Sequence, residues 1–447
     1  MNFLRTVLSL PVPKVLAYAA SSDNPVGAEY IIMEKVEGES LASRWLSLTT
    51  KEVAGLMTQI AEMEQKIFSF RFPGYGSIYH GRDLGDECQI PLQLEDFCIG
   101  PVADRMSWHG ERQQMKIDRG PCKCFIEYIQ RVELTCVISG LSSEDCLTSA
   151  ARREMTCLRH AKPQPRQTFL LPTEHSVNPD EHMSLLERFL QLAPFLVPKD
   201  SSFSAPVLRH PDLTLNNILL APGTTNIVSI IDWQDAIVFP SFLKAGYPAF
   251  CEHDSSKTQS LQIPKLPENF TSMSPEEQIQ SKTKWWLDEA NPFYTAATGI
   301  YNEAHMKNLK MPHLAMRQYL FRETGYPWDA DIINLRMALV GITSPNVWDS
   351  ISPLPCPVSF SDTERETTAR ESEGWKESEA LLKTIRDNIG IDLEGGTTPE
   401  NFEWASLRNM EFRLEMQRQC EEHERELCWQ NWPFKDDGDC SLPPGNV

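Results

Sequence analysis

The chain has 447 residues, of which 41% are hydrophobic and 23% charged, and its formal net charge is −20 at pH 7. This balance describes a globular protein long enough to bury a sizeable core in two lobes or subdomains. The negative charge argues against nucleic acid and anionic membrane surfaces as partners, and no apolar run approaches the roughly 18 residues of a membrane span.

In chain order, Val7 to Leu10 is too short an apolar run for a secretory signal, and Pro11 breaks it. Thr49 and Glu52 stand at capping-box spacing. They predict a helix whose core face carries Val53, Leu56, Met57, Ile60, Met63 and Ile67 at helical period. Gly74-Tyr75-Gly76-Ser77-Ile78 lacks both a preceding strand and a following helix, so it is not read as a phosphate loop. Residues 81 to about 122 mix Gly, Pro and charge and read as a surface insertion. Twelve cysteines include no CxxC pair. Cys122 and Cys124 have no histidine at zinc spacing and are read as reduced thiols. Leu185, Leu186, Phe189 and Leu190 mark a helix leading to the most informative segment.

That segment runs from Leu208 to Ala236, with the spacing His210-x-Asp212-x4-Asn217 and then Asp232. Ile218-Leu219-Leu220 and Ile227-Val228-Ser229-Ile230-Ile231 are β-type runs around the turn Pro222-Gly223-Thr224-Thr225-Asn226. A hairpin there returns Asp232 to the side of Asn217. Phosphoryl transfer from a nucleotide needs a carboxylate beside the attacking hydroxyl and hard oxygen ligands holding Mg²⁺ on the phosphates. Asp212 suits the first role; Asn217 and Asp232 suit the second. The plain alternative is a loop of solvated acids with a core histidine, and the hairpin ending in Ile-Asp-Trp counts against it.

The segment resembles the catalytic loop and metal-binding strand pair of the aminoglycoside phosphotransferase and choline kinase superfamily. Pro11–Tyr18 and Glu29–Gly38 are similar to the last small-lobe strands and the hinge of those proteins. Asp118-Arg119-Gly120-Pro121 and Phe97-Cys98-Ile99-Gly100-Pro101 resemble a fungal group of them, the altered-inheritance-of-mitochondria phosphotransferase-like proteins. The resemblance covers Met1 to about Trp348.

It implies an α+β, protein-kinase-like fold, with a truncated small lobe and hinge (1–38) and a mainly helical large lobe (39–350). It implies ATP and Mg²⁺ as cofactors, with adenine bound by the backbone of Glu34, Lys35 and Val36. Asp212 would position or deprotonate a small-molecule hydroxyl acceptor, His210 would orient the loop, and Asn217 and Asp232 would hold the metal. Asp235 is treated as a helix-start or surface acid.

The family also carries a phosphate-covering loop, a strand lysine and a helix glutamate ahead of the hinge. Met1–Leu8 resembles the end of that helix, and Lys14 does not match the lysine position. Activity in this chain is therefore expected to be weak or absent, and a non-catalytic, pseudokinase-like role in a mitochondrial process is the alternative. A mitochondrial location follows from the resemblance alone, a targeting peptide would precede Met1, and a cytoplasmic location is the alternative. Where the family runs one helix, Tyr128–Val132 would continue into Ala150–Glu154, so the strand-like stretch at about 133–149 reads as an insertion, either a genuine loop or a splicing product.

Ser274-Pro275-Glu276-Glu277 predicts another helix start. Asp288 and Glu289, with Trp285 or Trp286 packed over the ligand, are candidates for a cationic acceptor; buried tryptophans and solvated acids are the plainer reading. Pro353, Pro355, Pro357 and the polar run Ser361 to Ser372 suggest a linker over 351–372. A helical extension, 373–447, follows. Its stripe Trp404, Leu407, Met410 and Leu414 is expected to dock on the large lobe, with a protein partner as the alternative.

Overall fold

The Thr50–Ser69 helix organises the N-terminal part of the molecule. In the computed structural model Thr49 accepts from the Glu52 amide and Glu52 reaches back to the Thr49 amide. Val53, Leu56, Met57, Ile60, Met63 and Ile67 are buried. Each such burial contributes about 2 kcal/mol, against about 1 kcal/mol for the cap. The cap therefore sets where the helix begins, and the core decides that it forms. Residues 1–447 are described apart from 86–88, 93, 95, 109, 121–142, 161–163, 166–175, 252–263, 326–331, 392–395, 423–424, 431 and 435–447. Cys122, Cys124 and 133–142 fall outside the described residues.

Two compact units are present, Met1–Ser149 with Val197–Gln318, and Ala150–Leu196 with Tyr319–Val447. In the first, a short helix (Asn2–Thr6) precedes an antiparallel pair, Val15–Ala19 with Tyr30–Met33, in which Tyr18 faces Ile31. Chain flanking this pair is fastened to the hairpin formed by Ile218–Leu220 and Ile227–Ile230. Ile230 donates to the Pro11 carbonyl (2.7 Å), Ser40 pairs with Leu219, and Ala42 donates to the Leu215 carbonyl (3.2 Å). One continuous core joins Phe3, Leu4, Leu10 and Val12 to the long helix and to Leu208, Leu213, Ile218 and Ile230. The Pro275–Tyr301 helix, opened by the expected Ser274 box with Pro275 in its first turn, packs along the long helix.

The surface insertion expected over residues 81 to 122 is instead partly core. Phe97–Gly100 is buried, pairing with Ser77–His80 on one side and Ile90–Pro91 on the other. Its apolar run found a strand partner upstream, which local composition could not indicate. Gly76 starts this sheet at φ +144°, bonded in both directions to Val238. A Cβ there would press on the Gly100 carbonyl and lie 2.9 Å from Ile99 Cγ2. Gly76→Ala is expected to cost about 2–4 kcal/mol through strain and overpacking. The check is a lowered urea midpoint at unchanged slope; a loss within about 0.5 kcal/mol, as at a neutral surface site, would show the turn to be permissive.

In the segment read as an insertion at about 133–149, Ser143 opens a helix that runs to Leu158 and includes Ala150–Glu154. The expected division at 350 and the linker over 351–372 are also corrected. Tyr319–Val447 belongs to one unit, and a helix runs from Asp362 to Ile389, opened by a box between Ser361 and Glu364. The polar run was a helix N-terminus, with its polar residues serving the cap and the solvent face, apart from the buried Thr368 and Ser372. In this unit the Ile333–Ile342 helix packs on Pro179–Leu196 and on Asp362–Ile389, with Arg336 paired to Glu181 and Glu371.

Further on, the Phe402–Gln419 helix buries Ala405 and packs Phe412 and Met416 against Ile385, Ile389 and Trp432. The expected docking stripe is the other face: Trp404, Leu407 and Met410 are exposed. Cys420 and Cys428 form a disulfide that local spacing did not announce.

Candidate active site

Geometry at Leu208–Asp235 is set by a tight loop followed by the hairpin. Thr214 donates to the Asp212 carbonyl (3.1 Å) and Asn217 to the Thr214 carbonyl (3.2 Å), which delivers the chain into Ile218–Leu220. Ile218 pairs with Ile230, and Ile231 donates to the Asn217 carbonyl at 3.0 Å. Asp232 thus leaves the hairpin beside Asn217, as the sequence spacing requires. Asp232 has φ +61°, a left-handed backbone sparse for non-glycine residues, which points to a local constraint.

Each side chain then has a definite hydrogen-bond state. Asn217 Nδ2 donates to the Asp212 carbonyl (2.9 Å), leaving its Oδ1 free for a cation. The Asp212 and Asp232 residues are exposed, and neither carboxylate is hydrogen-bonded or ion-paired among the described residues. His210 accepts the Asp212 amide at Nδ1 (3.2 Å) and donates from Nε2 to the Ile231 carbonyl (2.8 Å). That pattern is the neutral imidazole protonated on Nε2. Burial agrees with it by pushing the His210 pKa down, more than the nearby Asp212 and Asp232 push it up. His210 is therefore a clamp between loop and hairpin. Trp233 packs edge-on against it (4.6 Å) and donates to the Ile230 carbonyl.

Two uncommitted carboxylates and one free amide oxygen suit Mg²⁺, which takes one or two protein ligands and completes its shell with phosphate and water. Among the described residues no three His, Cys, Asp or Glu side chains gather into a metal cage. Mg²⁺ on a nucleotide does not require one.

Of the hinge backbone expected to meet adenine, the Glu34 amide is committed, whereas those of Lys35 and Val36 have no partner among the described residues. The Glu34 amide donates to the Lys14 carbonyl (2.8 Å), while its carboxylate accepts from the Lys14 amide and from Arg5, both at 3.1 Å. Glu34 therefore presents no free amide to a base. Lys35 and Val36 engage no hydrogen-bond partner among the described residues, and none of the three is hydrogen-bonded to Asp212, Asn217 or Asp232. Asp235, read as a helix-start or surface acid, has φ +58° and accepts the Arg105 amide at 3.2 Å, capping the Arg105–Trp108 helix. Burial raises its pKa. Glu289 is fully buried and accepts from Thr50 (3.1 Å), so it is unavailable to a cationic acceptor. Trp285 is half-buried and donates to the Pro264 carbonyl.

A buried ionic cluster behind the loop went unread in the sequence. Arg209 pairs with Glu64 at 2.8 Å, Tyr294 donates to the same carboxylate, and His305 Nδ1 lies 3.6 Å from it. His305 Nε2 accepts the Gly246 amide, and its ring stacks on Phe68 at 4.6 Å. One signal was available: Glu64 follows Ile60 by four positions and precedes Ile67 by three, so it lies on the apolar face of its helix. An acid there needs a buried partner.

No protein-family model matches this chain, and no solved structure matches it. The "Subtelomeric hrmA-associated cluster protein" of Aspergillus fumigatus is 60% identical over 456 residues, spanning 99% of this chain and 89% of the relative. "Altered inheritance of mitochondria protein 9, mitochondrial" of Saccharomyces cerevisiae is 25% identical, over 78% of this chain and 57% of the relative. The protein of that name from Komagataella phaffii is 26% identical, over 62% of this chain and 45% of the relative. The chain belongs to the family of the Aspergillus fumigatus subtelomeric hrmA-associated cluster protein and is distantly homologous to the fungal altered inheritance of mitochondria 9 proteins.

Proposed function

We propose that the chain is an ATP-dependent phosphotransferase-like protein of protein-kinase-like fold, acting on a small-molecule hydroxyl. The observation that carries this reading is the uncommitted state of Asp212, Asp232 and Asn217 Oδ1 around one end of a hairpin, with Asp232 in a left-handed backbone. Magnesium bound there would neutralise phosphate charge and orient the nucleotide. Asp212 would hold the acceptor hydroxyl in line and accept its proton, while His210 and Arg209 keep the loop in place. We place the protein in the mitochondrion by kinship with relatives named as mitochondrial.

Calorimetric titration of ATP with and without Mg²⁺ tests the reading. Binding that requires Mg²⁺ and is lost in Asp232→Asn is the expected result; nucleotide binding indifferent to the metal, or none, removes it. The alternative, a non-catalytic protein acting through contacts, is favoured by one observation. Lys14 and Lys35, the lysines nearest the hinge, both have exposed side chains with no partner among the described residues, so neither is held over the hairpin as a phosphate clamp.

A further inference from the structure

A cleft of the first unit, about 1170 Å³, is not lined by Asp212, Asn217, Asp232 or the Glu34–Val36 segment. It lies among the strand pair carrying Tyr18 and Ile31, the sheet carrying His80 and Phe97, and Trp233. Three features of its wall define a ligand. First, it is aromatic: the Tyr18 and His80 rings are parallel to within 11°, with centroids 6.4 Å apart, and His80 stacks on Phe97 at 4.9 Å. Second, the wall is pre-organised, because the Tyr18 hydroxyl donates to Asp83 at 2.6 Å. Third, it is acidic. Glu29 and Asp83 line it, as does Met1, whose amino-group pKa is lowered by burial, and among the described residues no lysine or arginine does. Asp83 also faces the exposed Arg82 at 3.8 Å, whereas the Glu29 carboxylate meets no partner among the described residues.

We propose that this cleft is a second small-molecule site, one that takes a cationic planar heteroaromatic compound stacked on Tyr18 and His80 with its charge toward Glu29. Aromatic faces and an unpaired carboxylate attract such a cation. The same two carboxylates outnumber the Met1 amino group, which burial shifts toward its neutral form, and so disfavour phosphates and other anions, which separates this ligand class from nucleotides. Trp233 forms part of the wall and touches His210, so an occupant would sit directly behind the clamp of the candidate active site.

The test titrates the full chain with proflavine, a planar cationic aromatic, and with anilinonaphthalene sulfonate as an anionic aromatic control, both read by fluorescence. Saturable proflavine binding is expected, with the sulfonate binding at least about tenfold more weakly. Tyr18→Ala and Glu29→Gln should each weaken proflavine by roughly tenfold, within the range of a partly desolvated cation–π or charge contact. Both residues are exposed enough for the variants to fold, which circular dichroism checks; should Tyr18→Ala unfold, Glu29→Gln decides. Asp232→Asn should leave proflavine binding unchanged. Equal binding of the two dyes, or proflavine affinity unaltered in Glu29→Gln, overturns the proposal.

Discussion

Replacing Asp212 with asparagine is expected to cut acceptor phosphorylation by about 10²-fold or more, the low end of a general-base contribution, while Mg²⁺-dependent ATP affinity changes little. The split follows from the geometry. Asp212 contributes its carbonyl to the Asn217 amide and its N–H to His210, so the loop survives loss of the carboxylate charge. The carboxylate itself makes no hydrogen bond or ion pair among the described residues. Asp232→Asn should instead weaken Mg²⁺-dependent nucleotide binding together with turnover, because it removes negative charge facing the cation. Calorimetry and a coupled ADP-release assay on both variants read the two effects. Unchanged transfer in Asp212→Asn, or unchanged Mg²⁺ dependence in Asp232→Asn, would mean that the roles are misassigned. Should the chain show no transfer activity, the binding difference between the variants still decides the metal assignment.

Glu64→Ala is expected to lower stability by about 3–5 kcal/mol, the cost of leaving a buried charge without its partner. Arg209 would keep its guanidinium inside with no counter-charge, Nη2 already lacks a partner, and the Tyr294 hydroxyl would lose its acceptor. Burial by itself would raise the Glu64 pKa. The Arg209 guanidinium, with His305 and Tyr294, overcomes that and holds the carboxyl at about 2, below its ordinary 4.5. A depressed carboxyl pKa stabilises the folded state above the unfolded value, and the contribution disappears as pH falls toward the folded value. The window is therefore from about pH 4.5 down to about pH 2. Over it the wild-type chain should lose on the order of 3 kcal/mol that Glu64→Ala does not lose. Urea midpoints of both proteins across that range measure the difference. Parallel pH profiles would show that the pair contributes no net stabilisation.

Several elements were legible because their causes are local. Thr49 with Glu52 and Ser274 with Glu277 satisfy helix-end amides within a single turn. The hairpin from Ile218 to Ile230 closes over a short turn, so Asn217 and Asp232 are brought together by spacing alone. Ser361 with Glu364 carries the same signal. It was obscured by the polar, proline-flanked composition around it.

The spacing of polar and apolar residues determined the long helix, its buried face and the hairpin that returns the chain at Ile231 to Asn217. Tertiary structure decided the rest. The Phe97–Gly100 strand is buried because Ser77–His80 lies beside it, and Trp404, Leu407 and Met410 remain exposed because Phe412 and Met416 met the neighbouring helix instead. Glu64, Arg209 and the pair Tyr294 and His305 come from three distant stretches of chain and share one carboxylate only after folding. A local pattern reports which side chains avoid water. Which group satisfies a buried charge, and which tautomer His210 adopts, depends on atoms that only the folded chain brings within hydrogen-bond reach.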